Sequence, residues 1–336
     1  MLLLAGVLGL VAAGTAAMFD LTGTETEKDD EEARGARPEP TEDETPVPLE
    51  TFLKNSEIGA GDFDDTLSGG KGADVIEGQA GDDQIGGYGG DDSLSGGEGN
   101  DDLHGMEGDD TLSGDAGEDT LNGQYGKDVL RGGEGSDSLA GHGDLDHIAG
   151  GAGDDKLNGG MGDDRLSGDA GDDAILGGLD DDTLIGGMGK DTLMGGQGDD
   201  LVDGIADEAN GADPTNHDFL NGGAGDDQIV AGSGDTVTGG DGADTIFTGD
   251  WIDDDDLASR IVDFKVEEDT LVLIYDDAVG AQPEITLGAH PQDEDVMQVF
   301  MDGIAVAEVE NAGDLTVDDI MLTPLSVQQA PLFAAG

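Results

Sequence analysis

Gly159-Gly160-Met161-Gly162-Asp163-Asp164-Arg165-Leu166-Ser167 is a single copy of the unit that organises this chain. Its form is Gly-Gly-x-Gly-x-Asp-x-aliphatic-x, and it runs in one nine-residue register from Ala60 to Val230, nineteen times. Eighteen of the units carry Asp at the sixth position, and the same eighteen carry Leu, Ile or Val at the eighth. A fixed inward aliphatic every nine residues has no place in a disordered acidic tract, so the repeat is a structural unit. The x-aliphatic-x part reads as a three-residue strand with its centre pointing inward. The Gly-Gly-x-Gly-x-Asp part reads as a six-residue turn, with glycine supplying the tight backbone. Two units then close one coil of a flattened parallel solenoid, so turns eighteen residues apart stack on one edge.

Two units break the pattern. Gly204–Ala212 keeps the length of nine but has Ala209 in place of Asp and Gly211 in place of the aliphatic. The expectation is an interrupted coil in unbroken register, because Asp218 and Leu220 restore the pattern. Ala231–Thr238 is one residue short, and Gly239–Phe247 matches again with Asp244 and Ile246.

Composition sets the energetic problem. The 336 residues include 80 acidic and 12 basic side chains, a formal net charge of -68, with 62 glycines and only 4% aromatics. Such a chain repels itself and has little apolar surface to bury, so without counter-ions it should be largely disordered. One buried aliphatic per unit does not offset the backbone entropy of ordering nine residues. Stacked turns would also align like charges. The charge excludes a nucleic-acid partner, which needs a basic surface, and fits a polycation or many metal ions. With no cysteine, disulfides and thiolate metal sites are excluded.

The donor set selects the metal. Carboxylates plus turn carbonyls, without Cys or ordered His, form a hard oxygen site that favours Ca²⁺ with its 6–8 irregular ligands over octahedral Mg²⁺. Pairing sixth-position Asp residues eighteen apart, such as Asp65 with Asp83 and Asp74 with Asp92, gives about 15 Ca²⁺ sites and about +30 of charge.

Outside the array, Met1–Phe19 is apolar and uncharged. Three readings stay open for it: a membrane anchor, a cleaved secretory signal ending near Thr15-Ala16-Ala17, or neither. Residues 20–56 form an acidic, Pro-containing linker. The array occupies 57–250. From 251 to 336 glycine thins, and two β-prone runs, Val296–Met301 and Ile304–Val309, meet at Asp302-Gly303, a hairpin signal. A small β-rich C-terminal cap is expected, with Trp251 in its core. Asp253–Asp256 reads as a solvated acidic turn, with a further calcium contact as the alternative. The five histidines, His104, His142, His147, His217 and His290, form no His-Glu-x-x-His pair, and no Gly-x-Ser-x-Gly elbow occurs. Zinc protease and serine lipase are therefore unsupported, and no catalytic residue is assigned.

Gly69–Glu77 and Gly159–Ser167 resemble the glycine- and aspartate-rich nonapeptide of the RTX (repeats-in-toxin) family, and the resemblance covers about 190 residues. It implies an all-β, calcium-bound parallel β-roll in a protein exported by bacteria. The route it implies is commonly a type I secretion machinery that reads an uncleaved C-terminal signal. It also implies that each ion lies between turns, held by Asp carboxylates and glycine-turn carbonyls. Carried over position by position, the carboxylates are Asp65, Asp74, Asp83, Asp92, Asp101, Asp110, Asp119, Asp128, Asp137, Asp146, Asp155, Asp164, Asp173, Asp182, Asp191, Asp200, Asp218, Asp227 and Asp244. The glycines are Gly69, Gly72, Gly81, Gly90, Gly99, Gly108, Gly117, Gly126, Gly135, Gly153, Gly162, Gly171, Gly189 and Gly198. Phe63, Asp144 and Asp180 depart from the pattern, standing where the fourth-position glycine is expected. The leading expectation is a secreted, non-enzymatic calcium-binding protein that folds on meeting extracellular Ca²⁺, free or held at the cell surface. The alternative is a secreted carbohydrate-active enzyme or its accessory module.

Overall fold

The computed structural model describes residues 57–205, 217–249, 252, 257–278 and 282–328. The chain divides into the units Met1–Val47 and Pro48–Gly336, and all described residues lie in the second. The apolar segment 1–19, the whole linker 20–56, Trp251, Asp253–Asp256 and the last eight residues lie outside the described residues, with the expectations attached to them.

The fold is an all-β parallel solenoid. Among the described residues, successive units alternate between two sheets of 13 and 14 strands. Within each sheet every strand of the array pairs in parallel with the strand one coil away, as Ser138–Gly143 does with Thr120–Tyr125 on one side and Lys156–Met161 on the other. Register holds eighth position over eighth position, so Leu121, Leu139 and Leu157 form one inward column. These side chains, from Ile76 to Ile246, are almost fully buried and share one continuous core.

Strand and turn lengths differ from the sequence expectation. The regular strands are six residues long, not three, as in Thr111–Ala116 (Thr-Leu-Ser-Gly-Asp-Ala). Pairing resumes at the second and third positions of the next unit after a gap at the first-position glycine. The turn proper shrinks to the fourth, fifth and sixth positions. The physical reason is that buried first-position glycine lets the chain bend without leaving the sheet, so its neighbours still find partners.

Pairing around the degenerate unit also differs from the expectation. Strand Leu201–Asp203 is followed among the described strands by Phe219–Ala224, and Thr192 pairs with Phe219 across 27 residues rather than eighteen. Residues 206–216 lie outside the described residues. The ladders on either side of them skip nine residues, and Ile205, just before them, is buried against Val230 and Phe247.

At the C-terminal end both sheets continue. Thr270–Tyr275 pairs in parallel with Thr245–Gly249, and Ile320–Pro324 pairs with Thr270–Tyr275. The expected hairpin joins Asp293–Met301 to Ile304–Glu310 through Asp302 (φ 52°) and Gly303 (φ 93°), and its second strand extends the other sheet. The unbroken apolar run at 271–274 reflects cover on both faces. Leu271 and Leu273 enter the main core, while Val272 and Ile274 join Ile205, Val230 and Phe247 in a second cluster.

Candidate metal centre

Each sixth-position Asp closes its three-residue turn and stands just before a strand, and its side chain is buried in the roll. Eighteen such residues, Asp74 to Asp200 together with Asp218, Asp227 and Asp244, are buried to 3% exposure or less. One carboxylate oxygen is spoken for. Oδ1 accepts the backbone N–H of the sixth-position Asp one coil earlier, as Asp101 does from Asp83 (2.8 Å) and Asp146 from Asp128 (2.8 Å). The ladder runs the length of the array. Across the nine-residue skip it links Asp191 to Asp218 and Asp200 to Asp227, replacing the eighteen-residue pairing of Asp200 with Asp218.

The second oxygen is the anomaly. Oδ2 of Asp83, Asp92, Asp101, Asp110, Asp119, Asp128, Asp137, Asp146, Asp155, Asp164, Asp173, Asp182, Asp191, Asp200, Asp227 and Asp244 is buried without a hydrogen-bond partner. Orphaned buried carboxylate oxygens are costly, and a column of them along one core calls for cations. Asp65 and Asp74, at the N-terminal end, instead accept Gly61 and Gly70 N–H at Oδ2 (3.4 and 2.6 Å).

The glycines shape the space around that oxygen. At Gly69, Asp74 Oδ2 and the Gly87 carbonyl oxygen lie 2.6 and 2.7 Å from where a Cβ would sit. Gly78 with Asp83 and Gly96, and Gly159 with Asp164 and Gly177, repeat this cradle. Fourth-position glycines form a second column. The Gly81 carbonyl lies under Gly99, that of Gly99 under Gly117, and that of Gly117 under Gly135, while Gly90, Gly108 and Gly126 do the same on the other edge. Gly81 takes φ 122°, and Asp144 (φ 72°) and Asp180 (φ 75°) hold the same left-handed side of the map where glycine is missing. Those two departures therefore keep the turn, in keeping with the tolerance of Asp for that region. Among the described residues no three His, Asp or Glu side chains converge into a cage. A metal would thus rely on one carboxylate per turn plus backbone carbonyls, the donor chemistry of Ca²⁺.

Burial raises the sixth-position carboxyls from Asp92 to Asp200, and those of Asp218, Asp227 and Asp244, above the usual range, and in many of them carboxylates one coil away add to it. Asp110, Asp119, Asp173, Asp182 and Asp227 rise to about 7, and Asp146 and Asp218 to about 8.

A scan against family models matches the RTX calcium-binding nonapeptide repeat at residues 59–94, 86–121, 95–129, 113–148, 122–157, 141–175, 167–202, 215–237 and 234–250. The chain belongs to the RTX calcium-binding nonapeptide repeat family. No curated protein matches it. RTX repeats bind Ca²⁺ and form a β-roll, and proteins that carry them are usually secreted. The RTX match brings no catalytic domain and no support for the carbohydrate-active alternative. No helix among the described residues is long and apolar enough to cross a membrane.

Three features of this RTX array escape a reading by register alone. Asp235 is a ladder member, buried, accepting Asp218 N–H at 2.9 Å. Its signal is that it lies nine residues before Asp244; the missing residue of the short unit falls upstream of it. The fifth position forms a second, exposed ladder of opposite sense, in which Asp82 accepts Asn100 N–H (2.9 Å) and Asp172 accepts Lys190 N–H (2.9 Å). The third feature is a glycine-free terminal turn, 263–269. There Asp269 Oδ1 accepts Asp244 N–H (3.1 Å), Asp263 accepts Gly239 and Gly240 N–H, and Lys265 Nζ donates to the Gly240 carbonyl (2.7 Å). Lys265 also lowers the Asp244 carboxyl against the dominant upward push of burial. An ammonium thus stands beside Asp244, the last carboxylate of the repeats.

Proposed function

We propose that this is a secreted, non-enzymatic calcium-binding protein whose array is a loose acidic chain where Ca²⁺ is scarce and a β-roll where it is millimolar. The column of buried, unpartnered Asp Oδ2 atoms carries this reading. A roll with that many desolvated carboxylates gains from each bound cation, and binding confined to the folded state is itself folding free energy. The proposed ligands are the sixth-position carboxylates and the turn carbonyls of the glycines named above, about 15 ions in all by stacking of successive turns. In the proposed division, residues 1–19 are a signal or anchor and 20–56 a spacer. Residues 57–250 are the roll, and 251–336 a cap that can hold a type I secretion signal. The role outside the cell would be at a surface or in a matrix.

Far-UV circular dichroism of the full chain during a Ca²⁺ titration, with Mg²⁺ as control, tests the reading. A cooperative gain of β signal specific to Ca²⁺ is expected. Full β signal in excess chelator at neutral pH would overturn it.

A further inference from the structure

The outward faces of the two sheets differ in charge. On the 13-stranded sheet acidic side chains recur along the array: Glu77, Glu98, Asp115, Glu134 and Asp169, one on each of five strands. On the other sheet, six successive strands, Thr120–Tyr125, Ser138–Gly143, Lys156–Met161, Ala174–Leu179, Thr192–Gln197 and Phe219–Ala224, contain no Asp or Glu at all. Lys156 and His142 are the only titratable basic residues among them. In a chain with 80 acidic residues this is the one broad neutral field among the described strands of the array.

The field is also apolar and corrugated. Tyr125, Met161, Leu176, Leu179, Met194 and Phe219 are all exposed on it, Tyr125 at 68% and Met161 at 57%. Pairing register sets Leu176 beside Met194, and Met161 beside Leu179. Between these two ridges Gly160, Gly178, Gly196 and Gly223 follow one another in register, leaving a furrow without side chains.

We propose that this face is an interface between two copies of the chain, packed sheet on sheet. The argument for a second copy is shape and charge together. Ridge, glycine furrow and ridge are self-complementary under a two-fold rotation, so a ridge of one copy seats in the furrow of the other. Two molecules of this net charge repel least where the facing strands carry no carboxylates; here the nearest exposed ones, such as Asp163, Asp180 and Asp181, stand in the turns at the rim, where salt screens them over about 8 Å. Lys156 opens its strand beside the turn, where its long stem can carry the ammonium to the acidic rim. Six strands about 4.8 Å apart and about 20 Å long give roughly 600 Å² of plane per copy, so about 1,200 Å² in all, the lower bound of stable interfaces. The proposal rests on the reading that Ca²⁺ folds the roll, since the face exists only in the folded array.

The test is sedimentation equilibrium of the full chain from about 1 to 100 μM in millimolar Ca²⁺, with circular dichroism on the same samples. A dimer is expected, weakened at least tenfold by Leu176→Asp with Leu179→Asp and unchanged by Met188→Asp on the other sheet. The dichroism of all three proteins should be equal. A folded protein that stays monomeric, or a dimer that survives the double substitution, overturns the interface while leaving the calcium reading intact. A chain that is folded without Ca²⁺ is sedimented in that state and judged by the same criterion. A chain unfolded in both conditions overturns both readings.

Discussion

Asp146 accepts the Asp128 N–H with one carboxylate oxygen and has no protein partner for the other. Asn would keep the accepting oxygen and remove the charge. Asp146→Asn should therefore cost one bound Ca²⁺, read as stoichiometry by calorimetry, yet leave or slightly raise the β content in chelator. An equal ion count for variant and parent would argue against Asp146 as a ligand. The raised carboxyls also set a pH dependence. In the open chain they titrate near 3.8, whereas in the metal-free roll burial holds several near 6, 7 or 8. The folded state then binds more protons, so this contribution to stability is full below about pH 4 and is lost as pH rises through 6 to 8. Chelated protein should accordingly gain β signal by circular dichroism as pH falls from 8 to 5. A flat profile over that interval would contradict the burial of these groups.

At the scale of the element, the sequence was legible wherever one residue type does one job. The inward column from Ile76 to Ile246 and the hairpin at Asp302-Gly303 follow directly from the eighth position and the turn dipeptide. Strand length was not legible, because hydrogen bonding on either side of a buried glycine leaves no mark in side-chain periodicity. Nor was the nine-residue skip in pairing between Asp203 and Phe219, since a skip of one whole unit leaves the sequence register unchanged. Asp235 was hidden by where the short unit loses its residue, and the terminal turn by having no glycine to announce it. That terminal turn makes its own prediction. Lys265→Met keeps the stem but removes the ammonium from the Gly240 carbonyl and from Asp244. The Ca²⁺ midpoint of folding should rise about two-fold or more by dichroism, with the plateau unchanged. A variant indistinguishable from the parent would reduce Lys265 to a surface residue.

For the whole molecule, charge governs. Among the described residues few ion pairs relieve the net charge of -68: Arg260 with Glu310, Lys265 with Glu268 (3.7 Å), and two histidine–carboxylate contacts. Monovalent salt screens such repulsion but supplies no ligand to a buried carboxylate, while Ca²⁺ does both. The hydrodynamic radius, by dynamic light scattering at a concentration too low for dimers, should fall sharply in millimolar Ca²⁺. It should fall only slightly in NaCl of equal ionic strength. Equal compaction in both would mean that general screening, and not site binding, shapes the chain.

The sixth-position ladder has a direction, and that direction bears on how such a gene can lengthen. Each carboxylate reaches back to the coil before it, so the last nonapeptide depends on Asp269, beyond the repeats, to receive the Asp244 N–H. A duplicated unit pair added upstream meets acceptors already in place, whereas one added after the terminal turn would meet a sealed end. By this geometry a further pair of repeats fits at the upstream end and not beyond Asp269.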